Sequence, residues 1–169
     1  MSVWGKCYKR NFLINNNIIF KSEREYVSED IIFHSDIYEF KPKIKFVFNV
    51  GYCYINNDYL SLTKVFNPNR IEKECCLHKY LLKKSIDYNF NDEDKYRIYH
   101  RFLERISIVI NNQSTFKNKK MIFNIKELDE ALQFCRKFKM PFFSLIRYIC
   151  LKLKSYILIK GIYKLKNLR

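Results

Sequence analysis

Alternating apolar and polar positions in the first third of the chain predict extended structure. Residues 43–55, KIKFVFNVGYCYI, alternate and are rich in Val, Phe and Tyr, which is typical of a strand buried on at least one face. A second, brief extended run is predicted near 18–21. Since one or two strands are marginal alone, either further strands escape the pattern or the chain is the trailing part of a larger α/β domain.

Helical signals flank these extended runs. Residues 6–16, KCYKRNFLINN, predict a short helix that ends in an Asn cluster. A second helix is predicted after Ser28, a favourable N-cap residue, with Glu29 and Asp30 in the first turn, where carboxylates suit the positive end of the helix dipole. Pro42 closes this helix. On this pattern alone, Glu29 and Asp30 are simply the acidic start of a helix.

The pattern of the later part of the chain is helical. Predicted helices cover 70–85, 92–111 and 126–139, and Pro141 opens a last one. The second of them begins with the acidic run NDEDK, interpreted as a solvated helix start. The chain therefore divides into a part with the predicted strands, residues 1–66, and a helical part, residues 67–169.

Positive charge is concentrated at the end of the chain. The sequence carries a formal charge of +15, and residues 134–169 contain ten Lys and Arg with no Asp or Glu. Subtracting +10 from +15 leaves +5 for the first 133 residues, which is ordinary. The basic segment therefore predicts an anionic partner, namely lipid headgroups, nucleic acid or a polyanionic polysaccharide.

This basic segment also has an amphipathic pattern. On a helical wheel its apolar residues gather on one side: Phe142, Leu145, Ile146, Ile149, Leu153, Tyr156 and Ile157. Arg147, Lys152 and Lys154 fall away from that side, where Leu151 and Leu158 interrupt the polar face. The pattern fits a helix at a membrane interface, and it equally fits a core helix packed on the preceding helices.

The cysteines and histidines show no metal-binding or catalytic spacing. The six cysteines form no C-x-x-C motif, and they are predicted to be reduced, buried thiols of a cytoplasmic protein. His34, His78 and His100 are widely spaced and are interpreted as surface or hydrogen-bonded residues. The start of the chain lacks an apolar signal-peptide core, and charges interrupt the most apolar stretch, so no transmembrane helix is predicted.

Three consecutive stretches resemble family 2 glycosyltransferases, of the kind that build capsular and lipid-linked surface polysaccharides in bacteria. They are SVWGKCYKRNFL, NNIIFKSEREYVSEDIIF and VFNVGYCYINNDYLSLTK. Their order and spacing agree with the family across residues 2–64. Residues beyond 64 resemble the variable C-terminal part of these enzymes without a specific motif.

The resemblance implies an incomplete α/β fold of the GT-A type and sugar transfer from a nucleotide-sugar with inversion. In that family the carboxylate at the Asp30 position is taken as the general base, which accepts the proton of an acceptor hydroxyl. Glu29 would orient the loop or contact the acceptor. Trp4, Lys6 and Tyr8 would form the acceptor side, and Lys64 takes the place of a usual Arg or Lys.

The chain departs from the family in its donor site. The leading strands that bind the nucleotide, and the Asp-x-Asp motif that holds Mg²⁺ or Mn²⁺, have no counterpart here, because the only match, residues 92–94, lies at a predicted helix start. This chain is therefore expected to bind no cofactor and to be inactive alone. It is expected to be a fragment, a remnant or a split subunit that works with a donor-binding polypeptide.

The resemblance also implies a location, and the composition leaves alternatives open. A nucleotide-sugar and a glycan or lipid-linked acceptor would be the ligands of the complete enzyme, and the chain would be cytoplasmic and peripheral on the inner face of the membrane through residues 134–169. The alternatives are a small basic nucleic-acid-binding protein and a membrane-apposed helical protein without catalysis. Nucleic acid is disfavoured as a partner because the positive charge of the tail lies among aliphatic residues and not among exposed aromatic residues on which bases could stack.

Overall fold

The computed structural model describes residues 3, 5–22, 25–47, 69–112 and 122–166. Contacts divide the chain into two compact units, Met1–Asn67 and Pro68–Arg169. Seven helices have bounds within the described residues: α1 Arg10–Asn15, α2 Glu29–Glu39, α3 Arg70–Asp87, α4 Asp92–Asn112, α5 Lys126–Cys135, α6 Phe142–Lys152 and α7 Tyr156–Lys166.

The predicted α/β fold is wrong, because the described residues form helices and contain no strand. Residues 18–21 have no regular structure, and neither does the described part, 43–47, of the strand predicted at 43–55. Ile44, Phe46 and Val47 are exposed and not buried on one face. Alternation shows only that a segment suits a pleated strand, whereas a strand also needs a neighbouring strand to pair with. Residues 48–55 lie outside the described residues.

The first unit has a small core formed between α2 and the segment that precedes it. Ile18, Phe33 and Ile37 are buried together, with Val3, Tyr8, Phe12 and Leu13 packed against them. The Phe20 ring stacks on Phe33 at a centroid distance of 3.9 Å. These residues of the preceding segment are thereby held along α2, the helix that carries Glu29 and Asp30.

The second unit is built around α4, which packs against α3, α5, α6 and α7. The apolar residues of α4 recur at helical spacing, and Phe102, Leu103, Ile106, Val109 and Ile110 are all buried in its core. Polar groups on the same helix also reach its neighbours: Glu104 pairs with Arg147 of α6, and the Ser107 hydroxyl lies 2.8 Å from that of Tyr163 of α7.

The predicted helix starts in this unit are confirmed, but the last predicted helix is two helices. The chain leaves α6 at Lys154, whose φ of 51° is left-handed, and the amide of Ser155 donates to the Cys150 carbonyl at 3.1 Å. The Ser155 hydroxyl then accepts from the Leu158 amide at 3.5 Å and caps the first turn of α7. A polar turn therefore separates two amphipathic segments.

Truncation of a fully buried residue of α4 should reveal how far the second unit depends on this helix. Ile106→Ala removes a side chain with 0% exposure, so the free energy of unfolding should fall by about 2–5 kcal/mol in urea titrations. Ile108→Ala, on the same helix but 41% exposed, is the matched control and should change it by less than about 0.5 kcal/mol. Equal effects of the two variants would contradict the assigned core face.

Candidate functional site

The acidic start of α2 lies beside the N-terminal segment of the first unit. Glu29 and Asp30 occupy the first turn of α2, as predicted, and both are half-buried. Asp30 Oδ2 accepts a long hydrogen bond, 3.4 Å, from the amide of Val3. Ser28 is the residue before the helix, but it has a left-handed φ of 59° and makes no side-chain cap, so the predicted capping hydroxyl is wrong.

A hydrogen-bonded chain joins Tyr8, His34 and the backbone of Asp30. His34 Nδ1 lies 2.7 Å from the Asp30 carbonyl oxygen, and His34 Nε2 lies 2.9 Å from the Tyr8 hydroxyl. Because a carbonyl oxygen only accepts, Nδ1 carries the proton, and in the neutral ring Nε2 accepts from the Tyr8 hydroxyl. His34 is buried and hydrogen-bonded, as interpreted from the sequence, and it fixes Tyr8 next to the start of α2.

The Tyr8 hydroxyl is held in its protonated form. Burial, followed by the negative charges of Tyr38 and Asp30, raises the pKa of this hydroxyl above its ordinary value. Tyr8 can therefore donate a hydrogen bond near neutral pH but cannot act as a base there. The Tyr8 ring also packs edge-on against Phe33, with 5.2 Å between the ring centroids, which fixes its orientation.

The structure brings together some of the predicted site residues. Glu29, Asp30 and Tyr8 are gathered at the start of α2, while Lys6 is exposed on the adjoining segment. Trp4 and Lys64 lie outside the described residues. A half-buried carboxylate near a fixed tyrosine can accept hydrogen bonds, and a proton, from a hydroxyl brought within about 3 Å.

Sequence analysis missed the part played by His34 in this cluster. Its position four residues after Asp30 places it one turn further along the same face of α2, which is a usable sequence signal. That signal does not reveal Tyr8 as the second partner, because Tyr8 and His34 are separated by 26 residues and meet only through the packing of the first unit.

A second cluster of polar residues lies in the second unit, between α3 and α4. The Glu74 side chain is buried and accepts from Arg70 Nε at 3.0 Å and from Arg105 Nε at 2.5 Å. Each carboxylate oxygen therefore has a cationic partner, so the negative charge is compensated within the interior. The arrangement ties α3 to α4 and resembles a structural ion network more than a catalytic site.

His78 lies next to this network and has no hydrogen-bond partner among the described residues. Both ring nitrogens are buried, and the ring stacks on Phe102 at 4.1 Å and meets Tyr99 edge-on at 5.1 Å. Its interpretation as a surface or hydrogen-bonded residue is therefore wrong. Burial lowers the pKa of His78 to about 4, because the charged ring would lose its hydration without gaining a partner.

The cavity beside His78 is too small for an organic ligand. It measures about 20 Å³ and is lined by residues of α3 and α4, including Glu74, Arg101 and Arg105. Such a volume admits about one water-sized probe, whereas ligand pockets are about 300–1,000 Å³. The cavity can hold neither a nucleotide nor a sugar.

The described residues contain no group of three or more His, Cys, Asp or Glu that could hold a metal ion. Residues 92–94 form the first turn of α4, where Arg97 pairs with Glu93 and Asp94, so their interpretation as a helix start is confirmed.

Burial raises the pKa of the Cys75 thiol to about 11 and that of Cys135 to about 12, which makes both unreactive. Cys7 and Cys76 are free but exposed, so for them the prediction of burial is wrong.

Comparisons with protein-family models, curated proteins and solved structures found no match to this chain. The assignment of a function therefore depends on the arrangement of the side chains and on the resemblance in residues 2–64.

The buried His78 should make the second unit sensitive to acid. Its folded pKa of about 4 is below its unfolded value of 6.5, so the unfolded state binds the proton first and stability falls as the pH drops from 6.5 towards 4. The loss should approach, at most, about 3 kcal/mol, at 1.36 kcal/mol per pKa unit. His78→Leu should flatten this part of the stability profile, measured by urea unfolding between pH 7.5 and 4.5.

His100→Leu is the matched control for this experiment. His100 is half-buried on the neighbouring helix, and burial lowers its pKa as well. Its removal should flatten the profile much less than removal of His78. An unchanged acid slope in His78→Leu would show that another group causes the sensitivity.

Proposed function

We propose that the chain is the acceptor-side portion of a sugar-transferring enzyme, in which Asp30 is the general base. The observation that carries the proposal is the position of Asp30, half-buried in the first turn of α2 and hydrogen-bonded to the amide of Val3. The two segments that carry the first parts of the family resemblance thus pack against each other at the residue that the family uses as its base.

The proposed reaction requires only a proton acceptor from this cluster. The acceptor hydroxyl gives its proton to the Asp30 carboxylate as its oxygen attacks the anomeric carbon of the donor sugar. The bond from that carbon to the diphosphate breaks at the same time, and the departing nucleoside diphosphate takes the electron pair. In this proposal the exposed Lys6 donates hydrogen bonds to a sugar acceptor beside Asp30. The fixed Tyr8 hydroxyl gives its proton to His34 and can accept a hydrogen bond from the acceptor.

The proposal concerns this local arrangement and not an α/β fold. The described residues also do not fit the Mg²⁺ or Mn²⁺ ion of the family, since they contain no carboxylate cluster for it, and no step proposed here runs through a metal. Donor binding belongs in this proposal to another polypeptide segment. Ile44, Phe46 and Val47, which are exposed in the first unit, are apolar surface that such a segment would cover.

The acceptor in this proposal is a glycan or a lipid-linked sugar of a surface polysaccharide, modified on the inner face of the membrane.

The testable part is carbohydrate binding by the first unit. Titration of the ¹⁵N-labelled chain with millimolar bacterial-type oligosaccharides should shift amide signals of residues 3–8 and 28–34. Lys6→Ala should weaken this binding about tenfold or more, the loss expected for one charged hydrogen bond.

Two control variants test the assigned roles. Lys9→Ala removes an exposed lysine from the same segment and should leave glycan binding unchanged. Asp30→Asn keeps a side-chain oxygen for the Val3 amide, so it should bind glycans nearly as well as the wild type while removing the proton acceptor. Absence of any glycan-induced shift in residues 3–8 and 28–34 would contradict the proposal, as would tight Mg²⁺-dependent binding of UDP by this chain.

A further inference from the structure

The outer side of α6 carries an apolar stripe that the described residues do not cover. Phe142, Leu145, Ile149 and Leu153 recur at helical spacing on one face and are all exposed, Phe142 to 71% and Leu153 to 63%. Beyond the turn, Ile157 at the start of α7 is also 80% exposed and is counted with the stripe. Exposure of so many neighbouring large apolar residues is unusual on a surface that faces only water.

This stripe is not what holds α6 to the second unit. The helix instead packs through its other side, where Tyr148, Cys150 and Leu151 are buried in the core. The helical wheel places Leu151 on the polar face, but this side chain is fully buried and packs in the core of the second unit. The apolar side predicted to face either a membrane or the core is therefore divided. Ile146 and Tyr156 pack against the core, whereas the residues of the stripe are exposed.

Basic residues accompany the stripe. Lys152, Lys154, Lys160 and Lys164 are exposed on α6, on α7 and in the turn between them, and residues 134–169 contain no acidic side chain. Arg147 is not among these exposed cations, because it is buried and its Nη1 lies 3.2 Å from Glu104 Oε1. The exposed surface of α6 and α7 thus combines large apolar side chains with uncompensated positive charge.

We propose that this surface of α6 and α7, defined by the apolar stripe 142–157 and the four exposed lysines, docks on an anionic phospholipid membrane. The stripe would insert about 5–10 Å into the headgroup boundary, and the lysines would contact the negative headgroups beside it. Charge complementarity selects this occupant. Among the described residues no helix is long and apolar enough to cross a membrane.

Nucleic acid shares the negative charge but fits the apolar part less well. Phe142 is the one residue of the stripe with a ring on which a base could stack, and the other four are aliphatic. Stacking on several aromatic side chains is what binds single strands beyond phosphate contacts. Insertion into a hydrocarbon boundary, in contrast, uses aliphatic and phenyl side chains alike.

Co-sedimentation with vesicles tests the proposal. The wild-type chain should bind phosphatidylcholine vesicles that contain about 30% phosphatidylglycerol, and it should bind pure phosphatidylcholine vesicles much more weakly. Leu145→Ser/Ile149→Ser should weaken binding to the anionic vesicles at least tenfold, since two inserted side chains are lost. Lys152→Gln/Lys160→Gln should weaken binding to the anionic vesicles about fivefold for each lysine removed, in low salt.

A matched variant separates docking from a general loss of hydrophobicity. Ile86→Ser/Ile108→Ser removes exposed apolar residues from α3 and α4 and should leave vesicle binding unchanged. Circular dichroism and urea unfolding should show that the variants fold alike, because all four substituted isoleucines and leucines are exposed. The proposal is overturned by equal binding to neutral vesicles, by unchanged binding of Leu145→Ser/Ile149→Ser, or by binding of a single-stranded RNA without binding of anionic vesicles.

Discussion

Burial of one face of α4 is the constraint on which the second unit depends. Ile106 and Ile110 are fully buried at its centre, and α3, α5, α6 and α7 all pack around the same helix. Polar contacts then fix each neighbour: Arg105 reaches Glu74 on α3, Glu104 reaches Arg147 on α6, and Ser107 reaches Tyr163 on α7. Apolar burial supplies the attraction, while these directional contacts select which face of each helix turns inward.

The first unit depends on a smaller core and on a polar chain. Phe33 and Ile37 of α2 are buried together with Ile18. The Tyr8–His34 hydrogen bond and the Asp30–Val3 contact add polar links between α2 and the segment before it. The same groups that form the candidate acceptor site therefore also hold the segment in place. Changes at Tyr8 or His34 therefore affect local structure and chemistry together.

The two proposals are chemically compatible but independent. Sugar transfer to a lipid-linked acceptor takes place at a membrane surface, where a basic, apolar docking face would raise the local concentration of acceptor. The proposed docking surface consists of residues of α6, α7 and the turn between them, and the proposed base lies on α2. If the protein docked on lipid without binding glycans, the docking proposal would stand and the enzyme proposal would fail.

The sequence by itself determined the helices, and the tertiary structure decided what they face. Acidic first turns placed the starts of α2 and α4, because such signals are local. The strands predicted at 18–21 and 43–55 failed where they are described, since pairing needs partners far along the chain. The hydrogen bond of His34 to Tyr8 and the lack of a hydrogen-bond partner for His78 among the described residues likewise depend on residues distant in the sequence. In α6, apolar residues occur on both sides, so only packing against α4 could decide that Leu151 is buried and Phe142 is exposed.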